Sequence, residues 1–144
     1  MPEGLVAEAG IVVDVPASKV WHALVDPAVI KQWFFGTTLT TDWKKGSPIT
    51  WAGEWQGKKY EDTGVVLDIQ PGRMMRYSHF SPLAGKPDVP ENYHTVTVEV
   101  GGHGDHTHVT LTQDNNADEE GREHSAKNWA MVLGNLKKLL ETAA

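Results

Sequence analysis

The chain has 144 residues, of which 40% are hydrophobic and 22% charged. Those are the proportions of one ordinary folded domain, not of a disordered, collagen-like or membrane-spanning chain. A net charge of −6 repels phosphate backbones and anionic membrane surfaces, so neither a nucleic acid nor a membrane is an expected partner. There is no cysteine, which excludes disulfides, thiolate catalysis, iron–sulfur clusters and cysteine zinc sites, and fits a cytoplasmic setting. The opening MPEGLVAEAG lacks the basic start and apolar run of a secretion signal.

In chain order, AGIVVDV alternates as a first strand. Pro16 opens a short helix that Pro27 ends, with Val20, Ala23 and Leu24 on its apolar stripe. A second short helix, AVIKQWFF, stops before Gly36. Strands follow at TTLTTDW, SPITWAGEW, YEDTGVVLDIQ and RMMRYSHF, separated by turns at Gly57 and at Pro71–Gly72. The proline-rich SPLAGKPDVPEN, positions 81–92, reads as a long loop. NYHTVTVEV, the turn GGHGD and HTHVTLTQD complete an antiparallel meander.

A long helix is predicted from about Ala117 to the end, with Asn116 and Glu119 as a capping box and Asp118, Glu119 and Glu120 as its acidic first turn. Ala126, Trp129, Leu133, Leu136 and Leu140 fall on one stripe. A run of strands bounded by helices is an α+β arrangement with the helices on one face of the sheet.

Six tryptophans are many for this length, and their placement is informative. Ile49, Trp51, Gly53 and Trp55 share one strand face, Trp33 closes the second helix, and Trp129 lies on the stripe of the last. One helix does not easily fill a strongly curved sheet, so these rings either line a ligand cavity or pack the core. The most specific polar signal lies on two strands. His94 shares a face with Val96, Val98 and Val100, while Met75, Tyr77 and His79 share a face of the other strand. Pairing across the long loop with His79 opposite His94 sets Tyr77 opposite Val96 and converges two histidines and a tyrosine on the interior. Alternatively, both histidines sit at strand ends, half solvated.

His103, His106 and His108 suggest a metal site, but the glycines around them mark a solvated hairpin tip, where adventitious binding is the expected outcome. No GxGxxG, GxxxxGK[ST], HExxH or GxSxG motif is present, and neither a cofactor nor a catalytic set is expected.

The order strand, two short helices, six-strand meander and long terminal helix resembles the helix-grip fold of the START-like (SRPBCC) superfamily. Within it, PASKVWHALVDPAVIKQWF, GEWQGKKYEDTGVVLDIQPGRMMRYSHF, HTVTVEV, HVTLTQ and NWAMVLGNLKKLLE are similar to successive segments of the family named after the C-terminal domain of the activator of Hsp90 ATPase. The similarity runs from about residue 8 to 141. It implies a curved antiparallel sheet of about seven strands around the C-terminal helix, with a cavity between them that the superfamily uses for lipids, hormones, polyketides and other apolar molecules.

The expectation is therefore a small soluble monomeric binding protein for an apolar or aromatic molecule. Trp33, Trp51, Trp55, Trp129 and Leu133 would line the cavity, and Tyr77, His79 and His94 would orient the ligand. The resemblance also implies, as alternatives, a partner role toward an Hsp90-type chaperone, or a cyclase- or hydrolase-like enzyme using His79, His94 or Tyr77.

Overall fold

A computed structural model describes residues 5–34, 36–55, 57–81, 87–116 and 118–142. The elements are β1 (Leu5–Val13), α1 (Ala17–Val25), α2 (Pro27–Trp33), β2 (Thr38–Thr40), β3 (Pro48–Trp55), β4 (Lys58–Gln70), β5 (Met74–His79), β6 (His94–His103), β7 (His106–Asn116) and α3 (Glu119–Thr142). The strands form one antiparallel sheet in the order β1-β7-β6-β5-β4-β3-β2, and the helix-grip architecture is as the resemblance implies. Among the described residues no helix is long and apolar enough to cross a membrane.

Local chemistry sets the boundaries. Asp26 caps α2, its Oδ1 accepting from the Ala28 backbone N–H at 2.9 Å, and Pro27 occupies the first turn, where a missing N–H costs nothing. β2 is shorter than the predicted 37–43, because Trp43 turns into the left-handed region at φ 58° and donates its indole N–H to Val25 O at 2.8 Å. β1 begins earlier than AGIVVDV, at Leu5. The expected capping box on Asn116 is corrected. That residue ends β7 and donates to Leu5 O and Gln113 O, while Asp118 Oδ1 accepts from the Gly121 N–H at 2.7 Å and caps α3. Of the loop 81–92, positions 82–86 lie outside the described residues, and a short 3-10 turn spans Pro90–Asn92.

Pairing across that loop follows the predicted register, with His79 opposite His94 and Tyr77 opposite Val96. Alternation then sends Met75 and Tyr77 of β5 and Val96, Val98 and Val100 of β6 to the buried face. That face meets α3 from Trp129 onward, where Trp129, Val132, Leu133 and Leu136 are buried. The first turns of α3, from Glu119 to Asn128, bury no residue. The helix therefore grips the sheet at its C-terminal half and stands away at its N-terminal half, and the space under that half is where the site lies.

Candidate functional site

The interior has two parts. At its deep end, Trp33, Leu39, Trp51, Met75, Val98 and Leu133 close around a void of only about 30 Å³, room for about one water molecule. Trp33 is fixed there by its indole N–H, which donates to Ala23 O at 3.0 Å. This end is filled core.

Beyond Trp51 and Trp129 the interior opens into a cleft of about 620 Å³, within the range that holds small-molecule ligands. Phe34, Trp51, Tyr60, Tyr77 and Trp129 form its aromatic wall, and Asp62, His79, Gln113, His124, Ser125 and Asn128 contribute polar groups. Trp51 is the corner of this wall. Its ring centroid lies 5.3 Å from Tyr77 and 5.0 Å from His79, the latter edge-on at 69°. Phe34 meets Trp129 edge-on at 5.8 Å.

Trp51 fits because Gly64, diagonally across from it on β4, has no side chain. A Cβ there would lie 1.8 Å from Ser78 O and 3.3 Å from the Trp51 ring. On the opposite wall Trp129 donates its indole N–H to Gln113 Oε1 at 2.6 Å. At the α2–β2 junction, the buried Thr37 hydroxyl and the Tyr60 hydroxyl share a 2.6 Å hydrogen bond.

Two polar features stand out in this apolar setting. Burial pushes the Tyr77 phenol well above its ordinary range, so it is a neutral O–H in the cleft wall. His79 Nε2 lies 2.9 Å from Asp62 Oδ2, and the Asp62 side chain is only 15% exposed. The second carboxylate oxygen, Asp62 Oδ1, is buried without a hydrogen-bond partner among the described residues.

Of the residues expected to line a cavity, Trp51, Tyr77, His79 and Trp129 meet around the cleft, and Trp33 and Leu133 line the deep void instead. His94 is on the expected face, but its Nδ1 pairs with Asp114 O at 2.8 Å and it is not part of either wall. The carbonyl is turned toward it where β7 bends, next to Asn115 at φ 58°. The Trp55 side chain lies outside the described residues.

Asp62 escaped the sequence reading. Its signal was the alternation Tyr60, Asp62, Gly64, Val66, which puts a carboxylate on the inward face of β4. At the hairpin tip, the register of His103 with His106 brings three imidazoles within 5.0–5.9 Å of one another. Among the described residues, however, no group of three or more His, Asp or Glu side chains is arranged to hold a metal ion.

A long helix gripped by a curved antiparallel sheet, with an aromatic cleft between them, defines a protein of the START-like class. More narrowly, the chain belongs to the activator of Hsp90 ATPase homologue 1-like family, whose model matches residues 14–141. The solution structure of ChR145 from Cytophaga hutchinsonii is similar at 50% identity, with a TM-score of 0.85 over 99% of this chain and 97% of that one. CalU16 from Micromonospora echinospora shares the fold at 22% identity, TM-score 0.70, over 96% of this chain and 83% of that one. So does the Aha1 dimer from Colwellia psychrerythraea, at 19% identity and TM-score 0.74, over 95% and 96%. No protein of curated function matches the chain.

Proposed function

We propose that this chain is a monomeric cytoplasmic protein that binds an apolar or aromatic small molecule in the cleft beneath the N-terminal half of α3. The observation that carries the reading is the cleft itself. About 620 Å³ is walled by Trp51, Tyr77 and Trp129 and supplied with a few inward polar groups. Concave, mostly aromatic pockets with few polar groups are how proteins hold small molecules. A packed core would leave no such volume, as the deep end of this same interior illustrates.

The test is a thermal-shift screen of aromatic and apolar compounds. A ligand at a hundredfold over its Kd adds about 2.7 kcal/mol, and a domain of this size gains roughly 4 °C per kcal/mol. A saturable shift that Trp129→Ala removes supports the reading, and a flat screen contradicts it.

The family match favours a second reading, a partner of an Hsp90-type chaperone. It predicts that this chain alone stimulates a purified Hsp90 ATPase, and no stimulation at saturating protein ends it.

A further inference from the structure

We infer that the molecule taken by the cleft carries a hydrogen-bond donor, a hydroxyl or a protonated amine on a flat aromatic body, which Asp62 Oδ1 accepts. The inference rests on the binding reading above and narrows it to a ligand class.

Asp62 lies on the inward face of β4, directly opposite Trp51 on β3. One of its oxygens is taken by His79 Nε2 at 2.9 Å, and the other is buried with no partner among the described residues. Leaving a buried acceptor unmade is unfavourable, most of all when it belongs to a carboxylate, and native structures rarely tolerate it without a reason. Asp62 is part of the cleft wall, so a molecule in the cleft is what can supply the missing donor. The Cβ–Cγ torsion, which is soft for aspartate, is the motion that would bring the sealed Oδ1 to a donor bound there.

The surroundings set the sign of charge. Among the described residues no lysine or arginine belongs to the wall, whereas the rings of Trp51 and Tyr77 contribute π-systems that attract a cation or a polarised O–H. An anion placed beside Asp62 is repelled, so a carboxylate ligand of the same shape is disfavoured.

The experiment titrates the full chain, by tryptophan fluorescence and calorimetry, with four compounds of one shape. These are 2-naphthol, 2-(aminomethyl)naphthalene, 2-methoxynaphthalene and 2-naphthoate. A donor is expected to bind roughly tenfold or more tighter than the methoxy compound, the scale of a hydrogen bond to a charged group, with naphthoate weakest. Preference for the alcohol or for the amine says which donor the site is built for, and either supports the inference.

In Asp62→Asn the amide oxygen stays on His79 and an NH₂ faces the cleft, so the donor advantage is expected to vanish. A donor advantage that survives in Asp62→Asn overturns the inference. Equal binding of alcohol, amine and ether by the wild-type chain overturns it without any variant, and leaves the binding reading intact. Binding of none of the four overturns the inference and the binding reading together.

Discussion

Trp129 and Gln113 join the two walls of the cleft, the indole N–H of α3 donating to the β7 amide oxygen at 2.6 Å. The same amide reaches Ser125 Oγ at 3.4 Å, and Ser125 donates to Asn116 Oδ1 at 2.9 Å. These polar contacts tie the N-terminal half of α3 to the end of β7, beside the apolar packing of Trp129 against Phe34.

Gln113→Leu is expected to cost about 1–3 kcal/mol, because it leaves the Trp129 N–H without a partner in a nearly buried position. Urea unfolding followed by tryptophan fluorescence measures this. A variant as stable as the wild type would mean that the hydrogen bond does not hold the helix.

Gly64→Ala is expected to destabilise by about 1–3 kcal/mol or more, since its Cβ would lie 1.8 Å from Ser78 O and force β4 from β5. Gly101→Ala is the control. Its Cβ meets nothing within 4 Å, and a change within about 0.5 kcal/mol is expected from the same unfolding measurement. Equal losses in the two variants would show that the close approach at Gly64 is not what matters.

Much of this fold could be read directly from the residues. Pro16 and Pro27 mark the short helices, and alternation in MMRYSH and HTVTVEV marks the inward faces, which the observed register joins with His79 opposite His94. The site was less legible, because its geometry depends on long-range packing. The apolar stripe of α3 is legible and supplies Trp129 to the cleft, but His124, Ser125 and Asn128 join the wall from off that stripe. His94 has the right face but loses its ring to Asp114 O, a carbonyl turned by an irregularity in β7 that no local pattern announces. Asp62 was visible in the period of β4, yet an aspartate in a strand is ordinarily read as solvated.

Glu141 ties the end of α3 to β1. Its Oε2 accepts from the Asp14 backbone N–H at 2.8 Å and from Lys137, which also donates to Val12 O. The Lys137 hydrogen bond, then the Asp14 N–H, hold the carboxyl below its ordinary value of 4.5. A carboxyl depressed in the fold stabilises it above the unfolded pKa and loses that contribution as pH falls through the lower folded value. The stability difference between wild type and Glu141→Gln should therefore be constant near neutrality and shrink below about pH 4.5. Thermal melts from pH 7 to 3 check it, and a difference that grows on acidification would contradict the assignment.

Asn128→Trp places a large ring in the cleft from an exposed position of α3. Stability should stay within about 0.5 kcal/mol, while the affinity for any cleft ligand should fall roughly tenfold or more. Calorimetric titration of the variant reads both when paired with a melt. Undiminished affinity in a folded variant would place the ligand elsewhere.

The most direct test of the central claim is a ¹H–¹⁵N NMR titration of the wild-type chain with 2-naphthol. Binding in the cleft predicts saturable shifts centred on Tyr60–Asp62, Tyr77–His79, Gln113 and the α3 segment from His124 to Met131. Shifts that never saturate, or that centre on the groove between α1 and the end of α3 around Lys19, His22 and Leu139, would contradict it.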